Sequence, residues 1–234
     1  MTCAAFLEQL KTDYTFVRVL SDKNESLTAL FRHNTLGRFL VVRRYPAPVA
    51  VYDYLKTVSH PALPTVFDTY RFEDGQVVLE DYIDGITVAD VLENGTYTYG
   101  GAKTVLFAIG EALSALHQNG FVHRDVKPEN VMISKDGGVK LIDFNASRKV
   151  SPLSRTDTVQ IGTIGYAAPE QLGLSQSDPR TDVYALGVLL NVMLTGKHPS
   201  QQLARGKAGK IVLKATQIDP LSRYASAESF LAAL

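Results

Sequence analysis

The chain has 234 residues, with 24 basic and 24 acidic side chains, so it carries no net field that would gather nucleic acid or an anionic membrane. A hydrophobic share of 45% supports a substantial core, in one large domain or in two lobes. A single cysteine, Cys3, excludes an intrachain disulfide framework and fits a reducing cytoplasm, and the longest apolar stretch, residues 183–194, is too short and too interrupted to span a membrane.

In chain order, the first residues show no apolar run of signal-peptide length. Residues 14–20 (YTFVRVL), 27–32 and 38–45 (RFLVVRRY) are rich in β-branched and aromatic side chains, and 34–37 (NTLG) reads as a turn. Three antiparallel strands are expected there. Residues 49–58 follow as a short helix, with Val51, Tyr54, Leu55 and Val58 on one face. Two further strands are expected at 66–71 and 76–80. Helical patterns then dominate, at 88–93, 101–119, 168–172, 181–194, 205–216 and 225–234. The last of these still reads as helix at residue 234, as expected of a domain excised from a longer protein. The reading is an α+β fold: a sheet-rich lobe over residues 1–81 and a larger helical lobe over 82–234.

Residues 121–133 (FVHRDVKPENVMI) carry most of the chemical information. Two short apolar runs flank a polar turn that presents Asp125, Lys127 and Asn130 together. Phosphoryl transfer asks for such a set: an acceptor for the nucleophile's proton, a cation for the phosphate and an oxygen ligand for magnesium. The loop resembles the catalytic loop of eukaryotic-type protein kinases, in the bacterial-like form, and Lys127 points to the Ser/Thr branch. Downstream motifs agree in order. Asp143, Phe144 and Asn145 resemble the magnesium-binding Asp-Phe-Gly, with Asn in place of Gly; Asn tolerates the left-handed backbone expected there. Residues 162–170 (GTIGYAAPE) resemble the segment that seats an acceptor residue, Thr163 bonding the catalytic loop. Asp182 resembles the anchor beside His123 and Arg124, and Arg223 the partner of Glu170. These last are expected to be structural pairs.

The resemblance implies a two-lobed Ser/Thr protein kinase that moves the γ-phosphate of ATP to protein hydroxyls with Mg2+. Asp125 would take the proton, Lys127 would steady the phosphoryl group, and Asn130 and Asp143 would hold the metal. Val41 and Met132 would sandwich adenine, with the connector amides near Asp81 and Ile83 holding its edge. The implied partner is a protein with a Ser or Thr acceptor, and the implied location is the cytoplasm; no nucleic acid and no membrane span are expected, and oligomeric state is open. The alternative is a pseudokinase, the same fold serving as a nucleotide-binding or regulatory module. Residues 162–163 and 168–170 argue against a small-molecule kinase.

Residues 1–81 depart from the family in three places. Residues 21–26 (SDKNES) hold no glycine where bare backbone should approach phosphate, and Asp22 and Glu25 would repel it. Arg43 stands where the phosphate-pairing lysine is expected, an exchange that keeps charge but not shape. The helix glutamate that would pair with that lysine is replaced by Val51, and Asp53 lies roughly 200° round the helix from it. Lys23 is a second candidate for the missing cation. Glu80, on the strand leading into the connector, occupies an ordinarily apolar position behind the adenine, and the expectation is that it pairs with Arg43. The alternatives are a solvated Arg43 and a Glu80 turned to water. His33, His60, His117 and His198 have no metal-ligand spacing.

Overall fold

The computed structural model describes residues 1–23, 25–150, 165–172 and 176–234. They fall into two units, Met1–Ser59 with Pro64–Asp84, and His60–Leu63 with Gly85–Leu234.

The first unit begins with helix α1 (Cys3–Leu10), followed by strands β1 (Tyr14–Lys23), β2 (Ser26–His33) and β3 (Phe39–Tyr45), helix α2 (Val51–Leu55), and strands β4 (Val66–Phe72) and β5 (Gly75–Asp81). The strands form one antiparallel sheet in the order β1-β2-β3-β5-β4. On β3, residues 40–43 are all buried. An amphipathic strand would alternate, and this one does not because a helix packs on each face. Helix α1 covers one face, where Cys3, Ala29, Phe31, Leu40, Val42 and Val77 form a core joined by Phe6, Leu7 and Leu10. Thr2 caps it by accepting the Ala5 N–H at 3.2 Å. Phe6 lies 4.5 Å from Tyr70 and 5.4 Å from Phe72, centroid to centroid. This helix is an element the reading of the sequence did not anticipate, although Cys3, Phe6, Leu7 and Leu10 carry the i, i+3, i+4, i+7 spacing of a helical face. The opposite face meets α2, whose Val51, Tyr52 and Leu55 are buried. Helix α2 is five residues long, shorter than the expected span.

The second unit runs through β6 (Gly85–Thr87), α3 (Val88–Leu92), α4 (Tyr99–Gln118), β7 (Phe121–Val122), β8 (Val131–Ser134), β9 (Val139–Leu141), β10 (Arg148–Lys149), α5 (Pro179–Thr195), α6 (Gly206–Ala215) and α7 (Ala227–Leu231). Helix α5 is buried on nearly every side, as an apolar helix with no polar face must be. A capping box between Asp178 and Thr181 starts it and left-handed Gly196 ends it. The two apolar runs around residues 123–130 become β7 and β8, but in different sheets: β7 pairs with β10, and β8 with β6 and β9. The polar loop is therefore held at both ends by separate ladders. Residues 60–63 join this unit because Ala62 O accepts from Leu141 N at 2.9 Å and Leu63 O from Lys140 Nζ at 2.8 Å. Residues 169–172, expected as helix, are a single 3-10 turn.

Candidate active site

Pro128 opens the 3-10 turn Pro128–Asn130, where its missing N–H leaves no bond unmade. The turn brings Asn130 back onto Asp125: Nδ2 donates to the Asp125 backbone oxygen at 2.8 Å and to Oδ2 at 2.9 Å. Lys127 Nζ reaches the same Oδ2 at 2.7 Å. Asn130 is 4% exposed, so its orientation is fixed by these bonds. With Asn130 Nδ2 donating twice to Asp125, the amide oxygen of Asn130 is the atom placed to serve as a ligand. Its backbone oxygen accepts from Ile142 N at 2.9 Å, which ties the loop to the strand leading into Asp143.

Asp143 adopts φ 62°. The left-handed position expected at Asn145 is thus two residues earlier, on the carboxylate itself, and Asn145 is not left-handed. A non-glycine residue holds that conformation only where its neighbours over-determine it. Here Phe144 is fully buried with its ring 5.0 Å from His123, edge to face, and Asn145 N lies 3.5 Å from Asp143 Oδ1. Asn130 and Asp143 together present hard oxygen atoms, the donor chemistry that suits magnesium. Among the described residues no group of three or more His, Cys, Asp or Glu side chains could hold a metal.

Beneath the loop lies Asp182 of α5. Its carboxylate accepts the backbone N–H of His123 at 2.9 Å and of Arg124 at 2.8 Å, and meets His117 Nε2 at 2.7 Å. Arg124 is also left-handed, φ 70°, and the bond to Asp182 holds it there. Burial works to raise the Asp182 pKa, but the bonds and charges of His117 and His123 outweigh it and the net shift is downward. His123 is fully buried, and burial, opposed by the carboxylates of Asp182, Asp125 and Asp143, holds its pKa below the usual imidazole value. The neutral ring accepts from Asp125 N at 3.3 Å through Nδ1, leaving Nε2 to donate to Ile142 O at 3.3 Å.

Two contacts hold the segment from Ala168 onward. Arg223 grips Glu170 with both ends, Nη1 to Oε1 at 2.7 Å and Nη2 to Oε2 at 2.8 Å. Gln171 accepts from Ala168 N at 2.9 Å and donates to Arg124 O at 2.8 Å, stitching the segment to the catalytic loop. The expected Asp182 and Arg223 contacts are present; Gln171 was missed, and only its place directly after Glu170 hinted at it. Glu129 is exposed. The Tyr166 phenol is pushed up to about 12, by burial first and by the Glu129 charge second. Gly162, Thr163 and the hydroxyl-rich stretch 151–158 lie outside the described residues.

In the first unit, the expected ion pair is formed. Arg43 Nε meets Glu80 Oε1 at 2.6 Å, and Thr28 Oγ1 lies 3.4 Å from Nη1. Arg43 is 8% and Glu80 3% exposed, which removes both solvated alternatives. Val51 is 1% exposed, and Asp53 turns to Arg71 at the surface, so neither approaches the role of the absent glutamate. Lys23 is exposed at the end of β1 and pairs in register with Ser26 across the hairpin, where Glu25 takes φ 62°. Val41 and Ile83 are buried and Met132, in the second unit, is half-buried. One connector amide does not serve as expected: Asp81 N donates to Thr65 O at 2.9 Å, because the strand continues through it.

The sequence model of a family described as the protein kinase domain matches residues 51–229. The chain is 28% identical over 217 residues to a probable serine/threonine-protein kinase of Clostridium perfringens, covering 82% of this chain and 31% of that protein. It is 42% identical over 155 residues to serine/threonine-protein kinase PknL of Mycobacterium tuberculosis, covering 65% of this chain and 35% of PknL. To PknB of the same species it is 38% identical over 150 residues, covering 61% of this chain and 24% of PknB. The chain spans about a third or less of the length of these relatives.

Proposed function

The chain belongs to the protein kinase family, and from that premise we propose that it is a Ser/Thr protein kinase that transfers the γ-phosphoryl group of ATP to protein hydroxyls. The observation that carries this reading is the triad around Asp125, in which Lys127 and Asn130 converge on one carboxylate oxygen. In this reading Asp125 orients an acceptor hydroxyl and takes its proton, while Lys127 keeps a cation beside the group in flight. Asn130 and Asp143 are the residues proposed to hold magnesium, which when bound supplies charge neutralisation along the phosphates. Arg43 is proposed as the cation for the nucleotide's phosphates, and Val41, Met132 and the Ile83 amide as its adenine contacts; for Asp81 the backbone oxygen replaces the amide in this role.

A protein with a Ser or Thr acceptor is the proposed partner, and the cytoplasm the proposed location. No helix of the described residues is long and apolar enough to cross a membrane. Thr156 and Thr158 are proposed as autophosphorylation sites.

The pseudokinase reading is favoured by one observation, the glycine-free hairpin in which Asp22 is exposed and Glu25 takes a left-handed turn. Transfer of labelled phosphate from ATP-magnesium to the chain itself and to a generic protein separates the two. Transfer that disappears in Asp143→Ala supports the enzyme; nucleotide binding without transfer supports the module.

A further inference from the structure

We infer that Glu80 is the positioning residue for Arg43, so that the phosphate-side cation is fixed from within the sheet and not by a carboxylate of helix α2. This rests on the reading of the chain as a phosphotransferase that uses Arg43.

The strand register explains why the pair forms. Arg43 lies opposite Val78, and Val41 opposite Glu80, so Arg43 and Glu80 are diagonal neighbours on one face of β3 and β5. On its other side Arg43 lies opposite Thr28 of β2, which supplies the contact at 3.4 Å. Both strands are interior to the sheet, so the backbone that carries each residue is held by a ladder on either side. Their side chains are 10% and 4% exposed, a depth at which either charge alone would be costly.

Helix α2 contributes a neutral group instead of a charge. Tyr52 is fully buried with its hydroxyl 2.6 Å from that of Tyr45, two residues along β3 from Arg43 and on the same face. Burial above all pushes the Tyr52 phenol well above its ordinary range. The neighbouring Tyr45 adds to the rise, the Arg43 charge opposes it, and the Glu80 charge adds to it again. The one carboxylate of α2, Asp53, is committed to Arg71 of β4, with both side chains about half exposed. On the sheet face that carries Arg43 and Glu80, the contacts that seat α2 are neutral: the Tyr45–Tyr52 bond, and the Val49 N–H donated to Gln76 Oε1 at 2.7 Å. A displacement of α2 thus strips no counter-charge from Arg43. The cation stays in place whether or not the helix moves, and transfer is not gated through α2.

The test measures transfer with ATP-magnesium and acceptor protein titrated separately, alongside the unfolding temperature. Glu80→Gln keeps the shape and loses the charge. Its kcat/KM for ATP is expected to fall about 10–100-fold, with KM for the acceptor protein unchanged. Tyr52→Phe and Asp53→Ala, both on α2, are expected to match the wild type. The double variant Arg43→Met with Glu80→Met replaces the pair by apolar volume, so it is expected to fold and to lose transfer. Wild-type transfer in Glu80→Gln or in the double variant overturns the inference, as does an equal loss in Asp53→Ala and Glu80→Gln. A wild-type chain that transfers no phosphate overturns the kinase reading itself, and this inference with it.

Discussion

Around Asp125 the polar side chains of the second unit are tied to backbone: Asp182 to two amides, Asn130 to the Asp125 oxygen, Gln171 to Arg124 O and Ala168 N. Around Arg43 in the first unit, polar side chains are tied to one another, Arg43 to Glu80 and Tyr45 to Tyr52. The family match begins at residue 51, after the hairpin strands and β3. Proton removal and metal ligation need particular atoms at particular places, and a loop held by backbone bonds delivers them. Charge beside a phosphate is less exacting. It can be supplied by a different residue with a different counter-ion, provided the sheet buries the pair.

The largest test of this contrast is Asp125→Asn. Transfer is expected to fall by about 10²–10⁴-fold, with the unfolding temperature little changed, because the amide cannot take the proton. A larger loss from any substitution in the first unit would invert the comparison. Next in size is Arg223→Leu, which strands buried Glu170 and is expected to cost about 3–5 kcal/mol of stability by denaturant titration. Activity should fall only as far as the folded fraction falls. For the first unit, Arg43→Lys keeps the charge but loses the bond through Nε. Transfer is expected to drop about tenfold or more, while Arg44→Lys, on the opposite strand face, changes it less than about twofold. Equal effects would put the strand one residue out of register with the assigned role.

The smallest effect is one of pH and sharpens the account of the second unit. Buried His123 is neutral in the folded state, so below its unfolded pKa of 6.5 the unfolded chain binds a proton that the folded one does not. Stability should therefore fall as pH drops from about 6.5, at up to about 1.4 kcal/mol per pH unit for this group. Asp182, depressed from 3.8, contributes stability that is complete above that value and lost as pH falls through its folded pKa. His123→Asn should flatten the upper part of the curve and leave the lower. An unchanged upper part would remove His123 from the account.

Much of the site was legible because it is local. Asp125, Lys127 and Asn130 stand within six residues, and a turn that begins with proline brings them together in any chain that forms β7 and β8. Asp143, Asp182, Glu170 and Arg223 were found through their order along the chain, and the contacts expected of the last three are present. Long-range partners without a motif were harder. Gln171 acts on a backbone oxygen 47 residues away, and only its place directly after Glu170 hints at that bond. Helix α1 was missed because eight residues with four apolar positions make a weak signal until a sheet face is there to receive them. At Asp143 the local pattern was read two residues late, since which residue of a turn goes left-handed depends on what buries its neighbours.

The sequence by itself determined the five strands of the first unit, the longer helices of the second, the polar loop and the residue types available to it, because periodicity and turn chemistry act over a few residues. Tertiary structure alone decided which charges met. Arg43 and Glu80 are 37 residues apart and became partners only when β3 and β5 paired in a register that puts them diagonally on one face. Asp53 stands nearer to Arg43 along the chain, yet a five-residue helix turned it toward Arg71 and water. Burial then made the difference consequential: a buried carboxylate must have its counter-charge, whereas an exposed one contributes little either way.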